Sequence, residues 1–233
     1  MATDRPGSIA SGRTVVERYP RRARWFHAGT YVLVLVLLGT GWWLVAGREG
    51  EPSVVARVTG VNDTDLHTDA GWALTALAVV GVVLGARGVR MLAVESLRRD
   101  EGDLRWFVRW PAALVTGRFP RHEGHFDPGQ RVANVVMVVL LAALVGSGVG
   151  LTTVSGGPSF VWLHQIHLWS TYLITPVLLG HMVIASGVLP GYRGVARSMH
   201  LGGHLRADVA RRVWPGWLEG RPAQREESVH EPR

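Results

Sequence analysis

The chain has 233 residues and no cysteine; its 25 basic residues, all arginine, outweigh 18 acidic ones for a formal net charge of +7. The missing cysteine excludes disulfides, thiolate zinc sites, iron–sulfur clusters and covalent haem attachment through a C-x-x-C-H motif. Residues 132–192 are 61 consecutive positions without Asp, Glu, Lys or Arg, a run that a soluble domain does not need and a pair of membrane spans does.

In chain order, residues 1–18 read as a disordered arm, followed by a membrane domain over 19–219. The first span covers about 25–47, around YVLVLVLLGTGWWLVAG, and is too long to be a cleaved signal peptide. A second span covers about 70–93, with Arg87 and Arg90 snorkelling from its end. Asp103 to Thr116, DLRWFVRWPAALVT, mixes aromatic and basic residues. It reads as a short helix lying in the headgroup region and ended by Gly117, or as a helix packed on a partner subunit. The uncharged run divides at Ser155-Gly156-Gly157-Pro158 into a third span over 131–153 and a fourth over 160–189. Residues 220–233 read as a disordered tail. The fold class is therefore an all-α membrane protein, a four-transmembrane-helix bundle.

Charge fixes the expected orientation. Residues 1–26, 86–131 and 190–233 carry +4, +3 and +3, whereas loop 47–70 carries −3. Arginine marks the cytoplasmic face, so both termini, the middle loop and the interfacial helix are expected inside. The basic excess then belongs to membrane topology rather than to nucleic-acid binding. The expected location is a bacterial cytoplasmic (inner) membrane.

This topology gives each of the ten histidines a depth. His27 opens the first span near the inside, and His67 precedes the second near the outside. His167 and His181 lie in the outer and inner halves of the fourth span, 14 residues apart. Two heptads place both rings on nearly the same face, about 21 Å apart along the axis, with Pro176 between them making that face approximate. Two depth-matched pairs result, His67 with His167 and His27 with His181. Two stacked non-covalent haems, each with two axial imidazoles, suit that arrangement. A proton relay or metal transporter would usually need buried carboxylates as well, and the third and fourth spans contain none. His164 is assigned to the outer interface, with its replacing His167 as ligand left open. His122, His125, His200 and His204 read mostly as solvated loop histidines, and His230 lies in the tail. Gly39, Gly41, Gly71, Gly146, Gly148 and Gly150 suit either close approach of a macrocycle or ordinary small-residue helix packing.

Five segments carry a family resemblance covering about residues 18–219: RWFHAG, DLHTDAGW, HFDPGQR, IHLWSTYLITPVLLGH and the basic, Trp-containing GYRGVARSMHLGGHLRADVARRVWPGW. They resemble the membrane cytochrome b (gamma) subunit of respiratory formate dehydrogenases, within the di-haem b-type cytochromes that also serve nickel–iron hydrogenases. The resemblance implies the same pairing: an outer haem on His67 and His167, and an inner haem on His27 and His181. It also implies a quinone site, for menaquinone or ubiquinone, beside the inner haem. Asp127, where the family commonly has Asn, and Gln130 belong to that site. Asp127-Pro128-Gly129 equally reads as a turn starting the third span. The implied partners are an iron–sulfur subunit and a catalytic molybdenum- or tungsten-type dehydrogenase subunit, with substrate oxidation on that other chain. The cytochrome of a hydrogenase or another dehydrogenase is the alternative.

Overall fold

The computed structural model describes residues 14–47 and 51–220. The expected disorder of residues 1–13 and 221–233, and His230 with it, lies outside them. Four helices are long and apolar enough to cross a membrane: α1 (Arg21–Val45), α3 (Asp63–Leu84), α6 (Pro128–Thr153) and α7 (Gly157–Ala185). The remaining helices are α2 (Val54–Thr59), α4 (Ala86–Ser96), α5 (Asp103–Thr116), α8 (Ala207–Val213) and α9 (Pro215–Glu219). Two short strands, β1 (Val15–Glu17) and β2 (His204–Arg206), and two 3-10 turns, Pro190–Tyr192 and Val195–Ser198, complete the elements of the described residues. The spanning helices pack most extensively as the pairs α1–α3 and α6–α7. Large apolar side chains such as Val83, Leu84, Val139 and Leu173 point outward and are exposed, as lipid-facing positions should be.

The second span differs from its sequence expectation at both ends. Its helix starts at Asp63, because the Asn62 side chain accepts a hydrogen bond from Asp65 N and the first turn carries Asp63 and Asp65. A side-chain cap and first-turn carboxylates both favour a helix N-terminus. His67 therefore sits inside the helix rather than ahead of it. At Gly85 the helix is interrupted, and a Cβ there would lie 2.4 Å from the Gly81 carbonyl oxygen. Arg87 and Arg90 consequently belong to a separate helix, α4. Ser53 anchors the preceding loop: its N–H donates to Asp63 Oδ2 at 2.8 Å, and its hydroxyl bonds Oδ1 of the same carboxylate.

One end of the bundle is closed by a cap. β1 pairs antiparallel with β2, Val16 opposite Leu205, so residues 15–17 of the expected disordered arm are ordered by the far end of the chain. Tyr192, Val195, Leu205, Val209, Val213 and Trp214 form the cap core, with Val16, Leu114, Phe119 and Leu189 packed around it. The Arg18 guanidinium lies over Trp214 and Trp217, at 4.5 and 4.2 Å, and Nη2 donates to His125 O at 2.6 Å. Stacking of this kind suits the weakly hydrated, planar guanidinium. Helix α5 runs over Asp103–Thr116 and ends at Gly117 in a left-handed conformation. It turns Trp106 and Ala113 into the protein and leaves Leu104, Val108 and Val115 exposed.

Arg131, at the start of α6, ties these loops together. Only 2% exposed, it donates to Asp100 Oδ2 at 2.8 Å, to Asp103 Oδ1 at 3.2 Å and to Phe126 O at 3.0 Å, and it also bonds the Glu123 carbonyl. Removing a buried cation leaves those acceptors unpaired, a loss of about 3 kcal/mol. Arg131→Leu is therefore expected to lower the denaturation midpoint of the protein in mild detergent, and a variant that melts like the wild type contradicts this role.

Candidate haem site

Four spanning-helix histidines come together as two pairs. His67 on α3 faces His167 on α7, with ring centres 6.0 Å apart and planes at 75°. His27 on α1 faces His181 on α7, with centres 6.4 Å apart and planes at 49°. Helix α7 thus contributes one imidazole to each pair. A cavity of about 570 Å³ adjoins His67 and His167, and another of about 410 Å³ adjoins His27 and His181. Both volumes lie in the range of cofactor pockets.

The surroundings of the two pairs differ. Nδ1 of His67 lies 2.9 Å from Thr40 Oγ1 on α1, and Nδ1 of His167 lies 3.0 Å from Ser147 Oγ on α6. Gly41 and Gly148, next to those hydroxyls, admit the rings. A Cβ at Gly41 would stand 3.1 Å from His67 Cε1, and one at Gly148 would stand 3.3 Å from His167 Cε1. These two glycines make room for the imidazole itself. His164 is exposed, lines the same cavity and stacks on Phe160, with centres 6.4 Å apart and planes at 13°. At the capped end, His200 joins the other pair: its ring centre lies 5.8 Å from His27 and 5.9 Å from Tyr31. Sequence reading placed His200 in a solvated loop, and no periodic or charge signal marks it; the cap fold alone brings it there.

Asp127 and Gln130 line the same cavity as His27 and His181. Asp127 is 2% exposed and caps α6, its Oδ1 accepting from Gln130 N at 2.8 Å, with Pro128 in the first turn. Burial pushes its carboxyl above the usual carboxylate range. Gln130 Oε1 accepts from Trp214 Nε1 at 2.7 Å, which leaves the amide nitrogen as the donor end of the side chain. Trp110 Nε1 donates to the Tyr192 hydroxyl at 3.1 Å. Burial, with Asp127 nearby, pushes that phenol up.

Of the other loop histidines, His204 on β2 is exposed as expected, whereas His122 and His125 are packed into the protein rather than solvated. His122 is buried, with Nε2 2.9 Å from Val213 O. His125 packs against Phe126 and Trp217, and burial followed by the Arg18 charge pushes its imidazole down to about 3.

A bundle of four spanning helices with paired internal imidazoles defines a membrane cytochrome b. The chain belongs to the prokaryotic cytochrome b561 family, which it matches over residues 18–202. A search of curated proteins returned no match. The protein is accordingly a multi-pass membrane b-type cytochrome that binds haem and takes part in electron transfer. The residues fit that group. With an imidazole nitrogen about 2.0 Å from the metal and the ring centre about 1.1 Å further, two imidazoles sharing one iron would have centres about 6.2 Å apart. Both pairs stand close to that separation.

Two outcomes follow. Gly148→Val is expected to displace the His167 ring and lower haem content per chain while helix content by circular dichroism is kept; full haem content contradicts the packing argument. Below about pH 6.5 an unfolded histidine takes a proton that folded His125 refuses until about pH 3. Folding therefore loses stability as pH falls through that window. His125→Gln is expected to flatten the acid-side fall of the melting temperature, and an unchanged slope would contradict this.

Proposed function

We propose that the chain is the di-haem cytochrome b membrane subunit of a formate-dehydrogenase-type respiratory complex. His67 and His167 hold one haem, and His27 and His181 hold the other. The observation that carries the reading is the pair of facing imidazoles at each end of α7, at axial-ligand spacing. His27 and His181 are preferred to His200 as ligands because both stand on spanning helices, whereas His200 stands on the cap. With the arginine-rich segments at the cytoplasmic face, the capped end and both termini are inside, in a bacterial cytoplasmic membrane, and the His67–His167 pair is toward the outside.

When bound, the haems supply one-electron carriage between an iron–sulfur partner outside and quinone inside. The chain's own residues shape the quinone end. The Gln130 amide nitrogen can donate to a quinone carbonyl. The buried Asp127 carboxyl, pushed upward by burial, can hold a proton beside the cavity and deliver it to the reduced ring. Trp214 holds the Gln130 side chain in place. Substrate oxidation falls to a molybdenum- or tungsten-type subunit, and the iron–sulfur centres lie on other chains, since this chain has no cysteine to hold one. Among the described residues no cluster of three or more His, Asp or Glu is set to hold a bare metal ion. A second reading, the cytochrome b of a nickel–iron hydrogenase, is favoured by the family's own name, which refers to nickel hydrogenase cytochrome b.

The test is haem quantitation of the purified protein with its co-purifying subunits identified. Two haems per chain are expected, with His67→Ala and His181→Ala each removing one and His200→Ala removing neither. One haem per chain sinks the di-haem reading. A nickel–iron partner replaces the formate-dehydrogenase assignment with the hydrogenase one.

A further inference from the structure

Each histidine of the His67–His167 pair is met by a hydroxyl from a neighbouring helix, and both hydroxyl residues are buried, Thr40 at 1% and Ser147 at 4% exposure. A hydroxyl has one proton, and in both cases it is committed to the helix backbone. Thr40 Oγ1 donates to Val36 O at 2.8 Å, and Ser147 Oγ donates to Ala143 O at 2.6 Å. With the hydroxyl proton on the backbone, the contacts of 2.9 and 3.0 Å with the rings run from imidazole Nδ1–H to the hydroxyl oxygen. That assigns the proton to Nδ1 and the lone pair to Nε2 in both rings. The device occurs twice, as Thr40-Gly41 on α1 and Ser147-Gly148 on α6, each a hydroxyl residue followed by the glycine that lets the ring approach. The other pair lacks it: Nδ1 of His27 is buried with no hydrogen-bond partner among the described residues.

We infer that Thr40 and Ser147 are positioning residues for the haem of His67 and His167, and that they lower its reduction potential relative to the haem of His27 and His181. An Nδ1–H that donates a hydrogen bond fixes the tautomer, stops rotation of the ring and raises the basicity of Nε2 toward the metal. A more basic ligand favours Fe(III) over Fe(II). The backbone carbonyl that accepts the hydroxyl's hydrogen bond polarises the hydroxyl oxygen and strengthens its bond to the ring. The two pairs are thereby made unequal, with the lower potential at the end away from the cap, so an electron entering there runs downhill toward the cavity of Asp127 and Gln130. The inference rests on the two-haem reading.

The test is redox potentiometry with low-temperature electron paramagnetic resonance on the full-length holoprotein. Wild type is compared with Thr40→Val, Thr40→Ser, Ser147→Ala and Ser147→Thr, and haem content is measured in every preparation. The haem in question is identified by the signal lost in His67→Ala. Thr40→Val and Ser147→Ala are expected to raise the potential of that haem alone and to change its resonance. A tenfold loss of Fe(III) preference reads as about 59 mV for this one-electron couple. Thr40→Ser and Ser147→Thr, which keep the hydroxyl, stay near wild type. A hydroxyl-less variant that loses that haem while its hydroxyl-keeping counterpart retains it also supports the role. Unmoved potentials in loaded Thr40→Val and Ser147→Ala, an equal shift of both haems, or equal loss of haem in both variants at each position overturn it. One haem in the wild type defeats the two-haem reading instead.

Discussion

A ring nitrogen of an imidazole inside an apolar bundle is expensive to leave unmet, because no water competes there, and at the His67–His167 pair both Nδ1 atoms are met by a hydroxyl. That end of the structure is arranged around this requirement. Helices α1 and α6, which supply no histidine to the His67–His167 pair, supply its hydroxyl acceptors instead. Each of the closely packed pairs α1–α3 and α6–α7 thus contains one half of the arrangement. Gly41 and Gly148 are part of the same requirement, since a Cβ there would stand 3.1 or 3.3 Å from the ring and crowd its approach to the hydroxyl.

The other pair is set in a different environment. His27 and His181 open toward a cap built from both ends of the described chain, in which β1 and β2 pair and Arg18 lies over Trp214 and Trp217. The cap brings His200 beside His27 and a buried, protonatable carboxyl at Asp127 into the same cavity wall. Arg131 holds the loops that carry Asp127 in place from the α6 side. One end of the molecule is thus apolar and locked by single hydrogen bonds, while the other is rich in exchangeable protons. That contrast suits a path on which electrons enter at one end and meet protons at the other.

Some of this was legible before any coordinates. Long uncharged runs specify spanning helices wherever they occur, because backbone polar groups in lipid have only intrahelical partners. The 14-residue spacing of His167 and His181 is a local property of one helix, and α7 is a single helix over both positions despite Pro176. Asp127-Pro128 as a helix start follows from capping chemistry, and the structure gives Asp127 that task. Less legible were the limits of the second span. The capping role of Asn62 competes with a hydropathy pattern that begins later, and the break at Gly85 depends on how tightly the chain turns against its own carbonyl.

The sequence by itself determined that this is a four-span membrane protein, which residues are basic at which flank, and which histidines stand on spanning helices. These are properties of composition and of short-range periodicity. Only the tertiary structure decided that Thr40 faces His67, that Ser147 faces His167, that residues 15–17 pair with residues 204–206, and that His200 reaches His27. The physical reason is that these contacts join positions on different helices and at distant points of the chain. They depend on the rotation of each helix about its axis and on the closure of the cap, which no local pattern encodes.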